Sequence, residues 1–352
     1  MAKTLFTGVQ RNFAATNQMR YKNAYKRRLQ DRCIMDDLCN GNPENIKSFI
    51  GKGKGSQVEL YIPGTVKVRD TTVDGGIVYQ QVTDASETFG VNNECYWAIK
   101  QRLEDKEFMP WDPMSTYFTN ATDEVARHIE RRFGSDIPGK VLPINKGHNA
   151  GATYGNFDLG ECAQDHAVVL YKTQRQCDEA KSVQHRDVCF DFLIKIANTI
   201  RQGEGLSGGH VNMVIPSPVK HHLQTSELKY GGLMGQRNID LGVGERGGRT
   251  DVKFLGTLDD SIGIVQHDMM FHEQVKTYVK NGVKHTIYPI FAMMPDACAY
   301  INEMLIRDDN MKDTQNWNLH YRAKHLYDWP VLFPQMMAMA YVELAEPDFV
   351  AA

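Results

Sequence analysis

Residues 112–134 constrain the fold more than any other segment, because they read as one long helix. Asp112 offers an acceptor to the unpaired N–H groups of a first turn, and Pro113 stands where its missing donor costs nothing. Met114, Phe118, Ala121, Val125 and Ile129 recur at three- and four-residue spacing. Arg131 and Arg132 complement the negative end of the helix dipole, and Gly134 is the expected stop. From Pro113 to Phe133 this rod would be about 31 Å long at 1.5 Å per residue. Any globular protein can own one amphipathic helix, so the flanking sequence decides what it belongs to.

Upstream, residues 1–30 carry Lys3, Arg11, Arg20, Lys22, Lys26, Arg27 and Arg28 and no acidic residue, with Phe6, Phe13, Tyr21 and Tyr25 interleaved. Residues 1–56 lack sustained periodicity and end in Gly51-Lys52-Gly53-Lys54-Gly55-Ser56, so they read as a basic arm that needs a surface to lie on. Alternation then sets in. Val58, Leu60 and Ile62 point one way and Glu59 and Tyr61 the other; Asp74-Gly75-Gly76 suits a tight reversal, and 77–82 returns as a second strand of a long hairpin. Residues 95–103 alternate Tyr96, Ala98 and Lys100 against Trp97, Ile99 and Gln101.

Downstream, the pattern predicts a mixed α+β body. A helix is expected over 182–202 on the stripe Cys189, Leu193, Ile196 and Ile200, widened by Phe190 and Ile194. Strands are expected at 211–215, 252–255, 262–265 and 286–294, a short helix opened by Ser217-Pro218, another over 295–305, and a strand-rich return over 331–344. At 352 residues the chain has room for about two or three domains and a sizeable core. Its net charge of −3 argues against a dedicated nucleic-acid reader, although the arm could touch phosphate by charge alone. Seven scattered cysteines without C-x-x-C spacing read as free thiols of a reducing compartment. No leader pattern follows Met1 and no apolar run is long enough to span a bilayer, so no membrane role is expected. The Asn120-Ala121-Thr122 sequon falls inside the expected helix and reads as chance.

Chemical motifs fail on context. Residues 242–247 match G-x-G-x-x-G, but a strand rather than a helix is expected next, so no helix N-terminus meets a pyrophosphate. The glycine run at 51–56 lacks P-loop spacing. His267 and His272 with Asp268 and Glu273 are the best metal candidates, yet five-residue spacing does not align the histidines on a helix face. Adjacent His221 and His222 cannot share a site on a helix, and His210 reads as a satisfied core imidazole before a buried strand. No nucleophile signature is present, so no catalytic residue, cofactor site or metal site is assigned, and no enzyme is expected.

In order and texture these segments resemble the major capsid proteins of tailed double-stranded-DNA bacteriophages, with the Hong Kong 97 type fold. The resemblance rests on the arm, the hairpin and the helix 113–133, then on Asn212-Met213-Val214-Ile215-Pro216-Ser217-Pro218, Phe254-Leu255-Gly256-Thr257, 287–292 and Tyr327-Asp328-Trp329-Pro330 through Leu344. It implies an N-terminal arm over 1–56, an extended loop over 57–85, a peripheral domain over 86–176 with spine helix 113–133, an axial domain over 177–330, and a strand over 331–352 returning to the periphery. It further implies self-assembly into the capsomers of an icosahedral head, formed in the host cytoplasm and enclosing DNA held by non-specific charge contact. Leu60, Ile62, Ile77 and Tyr79 would be inter-subunit contacts, and Arg11, Arg20, Lys22, Lys26, Arg27 and Arg28 the cationic surface of the arm. No built-in scaffolding extension is visible, which implies a separate scaffolding protein beside a portal, with decoration proteins an open question. Two alternatives stand: an encapsulin-like nanocompartment shell protein on the same fold, and a cytoplasmic α+β metal-dependent enzyme built on the histidines.

Overall fold

The computed structural model describes residues 29, 33–39, 46–50, 56–62, 85–102, 113–151, 155–202, 209–226, 244–245, 252–258, 261–280, 282–305, 311–312 and 318–345. In chain order the elements are α1 (Met35–Leu38), β1 (Ile46–Ile50), β2 (Ser56–Ile62), β3 (Ala85–Val91), β4 (Asn93–Arg102), α2 (Pro113–Asp136), β5 (Val168–Tyr171), α3 (Gln174–Glu179), β6 (Arg186–Val188) and α4 (Cys189–Arg201). There follow β7 (Val211–Ile215), α5 (Ser217–Thr225), β8 (Gly244–Glu245), β9 (Val252–Leu258), β10 (Ile262–His267), β11 (Lys276–Lys280), β12 (Val283–Met293), β13 (Ile301–Leu305), β14 (Met311–Lys312), β15 (Asn318–Asp328) and β16 (Met337–Leu344). The chain is thus α+β and divides into two units, one of Met1–Asn40, Leu103–Ala299 and Val331–Ala352, the other of Gly41–Arg102 and Tyr300–Pro330.

The first unit is built on a mixed nine-stranded sheet in the order β6-β5-β16-β12-β7-β10-β9-β8, with β11 added against β12. β7 and β10 are buried along their whole length, as strands covered on both faces must be. One face buries Val211, Met213, Ile264, Ile290, Ala338 and Ala340 with Phe192, Leu193 and Ile196 of α4 and Val219 and Leu223 of α5. On α2, Phe133 meets Phe291 of β12 edge-on at 6.1 Å between ring centres, and Phe271 lies 5.4 Å from the same ring. A fully buried phenyl such as Phe133 contributes about 1.5–3 kcal/mol. Pro289 is tolerated inside β12 because β11 stops pairing at Ile287 and β7 starts at Phe291, so its missing N–H falls where that edge has no partner.

The described elements of the second unit are all strands. β1-β2-β3 form an antiparallel three-stranded sheet, and β13-β15-β14 with β4 against β15 form a four-stranded one. Leu326, Tyr327 and Trp329 are buried, and the Tyr327 and Trp329 rings lie 5.6 Å apart.

Several expectations change. The stretch expected to be an arm that needs a surface contains α1 and β1, and its middle is docked: Leu29, Cys33, Ile34, Met35, Leu38 and Cys39 are buried, and Asn212 Nδ2 donates to the Asp37 carbonyl at 2.8 Å. β2 pairs with β1 and β3, while residues 63–84, including the returning strand at 77–82, lie outside the described residues. Residues 41–56 therefore group with the second unit, and 300–330 leave the expected axial segment to pair with β4. The helix expected over 295–305 is a single 3-10 turn, Pro295–Ala297, followed by β13, because Ile301 to Leu305 find a ladder on β15. The helix expected over 182–202 begins only at Cys189, residues 186–188 having paired with β5. β16 lies between β5 and β12 inside the first unit's sheet.

Candidate functional site

The sequence-predicted contact residues divide between described and undescribed segments. Leu60 and Ile62 lie on β2, where Leu60 is in register with Ile46 and Glu87 and Ile62 with Ala85. β2 is thus the middle strand, its ladder occupied on both sides, so a neighbour could reach it only across the sheet faces. Ile77, Tyr79, Arg11, Arg20, Lys22, Lys26, Arg27 and Arg28 lie outside the described residues. On β4 the expected alternation holds: Tyr96, Ala98 and Lys100 are exposed while Trp97 and Ile99 are half-buried, and Tyr96 at 79% is the most exposed large hydrophobic side chain described.

Two of the rejected metal candidates, His267 and Asp268, are structural. His267 Nδ1 accepts the N–H groups of Met269 and Met270 at 3.2 and 3.1 Å, which puts the proton on Nε2, and Nε2 donates to Glu130 at 2.8 Å. The other Glu130 oxygen accepts the Ile34 N–H at 3.0 Å. A fully buried carboxylate on α2 thereby ties the turn before α1 and the end of β10 to one helix. Asp268 caps α5 by accepting the Ser217 N–H at 2.6 Å, and His272 and Glu273 are exposed. His221 is exposed and His222 buried, as two neighbours on a helix must be; His210 is exposed rather than the core imidazole expected. Burial, with Lys172 nearby, holds His222 down to about 4, and burial does the same for His325. Within 242–247, Gly244 and Glu245 form β8, and the next described element is strand β9.

A histidine cluster that sequence reasoning missed lies at one end of the first unit's sheet. His148 follows a 3-10 turn, His166 precedes β5 and His185 precedes β6, and one ring nitrogen from each lies within 4.8 Å of the others. Asp158 joins two of them: its oxygens accept from His148 Nδ1 at 2.8 Å and His185 Nδ1 at 2.6 Å, and the rings stack with centres 4.0 Å apart. His166 Nδ1 stands 3.4 Å from His148 Nε2. The loops converge because Gly160, at φ +69°, lets the chain turn where an added Cβ would stand 2.4 Å from the Tyr341 carbonyl oxygen. Sequence separations of 18 and 19 residues, from 148 to 166 and from 166 to 185, belong to no metal motif, so the cluster had no local signal.

Beside it, His185, Tyr278, Lys280, His285 and Glu343 help line a cavity of about 850 Å³. Glu343 accepts from Tyr278 Oη at 2.7 Å and from His285 Nδ1, and the Tyr278 and His285 rings stack at 5.2 Å. Burial, and then donation to Glu343, push the Tyr278 phenol upward. Each Glu343 oxygen already holds a protein donor, so the triad clamps β11, β12 and β16 together rather than presenting a free base.

No family model matches this chain, and no curated protein matches it. Among solved structures it is similar to that of Mycobacterium phage Che8, with 16% identity over 89% of this chain and 90% of that one and a TM-score of 0.48. It is also similar to the capsid of Ralstonia phage GP4, with 11% identity over 86% and 91% and a TM-score of 0.49. A virus-like particle from Pyrococcus furiosus shares 8% identity over 91% and 99%, with a TM-score of 0.41.

Proposed function

We propose that this chain is a major capsid protein with the Hong Kong 97 type fold, a structural subunit and not an enzyme, whose copies form the capsomers of an icosahedral phage head around double-stranded DNA. The observation that carries the reading is the second unit. Its described elements are strands alone, and along β4 one face leaves Trp97 and Ile99 half-buried while the other sets Tyr96 almost fully in solvent. Thin antiparallel sheets are marginal alone and gain stability by burial against another surface, which in a shell is the next subunit. The order of elements agrees: strands β1 to β4, one 24-residue helix, then a sheet body holding the Ile215-Pro216-Ser217 strand-to-helix step. In this reading α2 is the spine helix, the nine-stranded sheet is the axial body, and β4 with β13–β15 belong to the peripheral domain. Leu60, Ile62, Ile77 and Tyr79 remain the contact candidates of the extended loop. A separate scaffolding protein and a portal would be the partners during assembly in the host cytoplasm.

Electron microscopy and sedimentation of the purified full-length chain, alone and co-expressed with a scaffolding protein, test this. Rings, tubes or shells are expected; a monomer that persists at all concentrations and with the scaffold present would overturn it.

A further inference from the structure

We propose that His148, His166 and His185 form a binding site for a divalent transition metal of the zinc type, with Asp158 as the group that orients two of the ligands. An ionised carboxylate only accepts hydrogen bonds, so its contacts to Nδ1 of His148 and His185 place the proton on Nδ1 in both rings. That leaves each Nε2 with its lone pair outward, the tautomer a metal requires, and a carboxylate behind a ligating imidazole is the arrangement that fixes ring orientation and raises basicity. Asp158 is itself held, since one of its oxygens also accepts the Gly160 N–H at 3.1 Å.

The spacing fits. Two nitrogens bound to zinc at about 2.0–2.1 Å on a tetrahedron stand about 3.3–3.4 Å apart, and His166 Nδ1 and His148 Nε2 are 3.4 Å apart. At that separation a hydrogen bond between two imidazoles is weak, whereas a shared ion satisfies both lone pairs. His166 is exposed, so its ring has room to present an Nδ1 lone pair toward the ion. Three imidazoles leave the fourth position to water, and the partial exposure of the cluster provides the entry path. The bound ion would add a direct link among three loops already joined by Asp158 and by backbone bonds such as Val169 N–H to the His185 carbonyl. Cys162 Sγ and the Lys276 ammonium already tie the intervening turn to residues 274–276, so closing the cluster requires ring movements and not a new loop path.

The test uses the full-length chain stripped with chelator, whatever its assembly state, so its result is independent of the capsid reading. Equilibrium dialysis against Zn²⁺ should give one high-affinity ion per chain, and Co²⁺ should give the intense visible bands of a four-coordinate nitrogen and oxygen site without a thiolate charge-transfer band. His166→Ala, at an exposed position, should lower the affinity at least tenfold and abolish the zinc-dependent rise in Tm. Asp158→Asn should lower it by about 10–100-fold with the three ligands intact. His185→Ala, if it folds, should behave as His166→Ala. Absence of stoichiometric zinc, thiolate bands in the cobalt form, or affinity unchanged in His166→Ala would each overturn the assignment.

Discussion

Glu130 shows how a single side chain can organise three elements. It sits in a helix row of Thr122, Ala126, Glu130 and Gly134, four residues apart and all buried, beside the apolar row of Val125, Ile129 and Phe133. Removing its carboxylate leaves His267 Nε2–H and the Ile34 N–H buried without their acceptor. Glu130→Ala is therefore expected to cost about 3–5 kcal/mol in denaturant unfolding, and Glu130→Gln, which keeps an acceptor, distinctly less. Gly134 was read from sequence as a helix stop, but α2 runs on to Asp136 and the glycine is there because a Cβ would stand 1.8 Å from the Met270 carbonyl oxygen. Gly134→Ala should destabilise by about 1–3 kcal/mol despite the better helix propensity of alanine, measured by the same unfolding assay. The buried histidines set a pH dependence. Unfolded imidazoles protonate near 6.5, while burial holds folded His222 and His325 down to about 4. Between those values the unfolded chain binds more protons, so stability is complete above about 6.5 and falls as pH drops toward 4, by up to ~1.4 kcal/mol per pH unit for each histidine. Urea midpoints at several pH values should show this slope, and His222→Gln should flatten it.

At the scale of elements, legibility followed the locality of the cause. α2 could be read because its stripe repeats along one helix, and β7, β9, β10 and β12 because apolar runs and β-branched residues mark them without reference to partners. β13 could not, since Ile301 to Leu305 become a strand only through the ladder to β15. β6 was taken for helix for the same reason: its three residues have no strand signature beyond their register on β5. The histidine cluster was illegible because its members come from three loops, and the second buried row of α2, Thr122, Ala126, Glu130 and Gly134, carries no apolar stripe that would mark it in sequence. On β4 the alternation was legible and has a consequence. Tyr96→Asp changes one exposed side chain, so protomer unfolding should move by no more than about 0.5 kcal/mol, while under the proposed shell function sedimentation should show association of copies weakened or lost.

For the whole molecule, the chain builds each unit from separated stretches: 41–102 and 300–330 in one, and 1–40, 103–299 and 331–352 in the other. The last strand, β16, is not an edge. It bonds in parallel to β5 and antiparallel to β12, with Ala338, Ala340 and Val342 buried against the α4 side of the sheet. A chain ended after Gln335 should therefore lose native structure, read as missing protection from hydrogen exchange in β5 and β12, and not merely shed a tail. Until β16 is made, β6 and β5 have no ladder joining them to β12 and the strands beyond, so the final stretch of the sequence is the clasp that makes one sheet of two pieces.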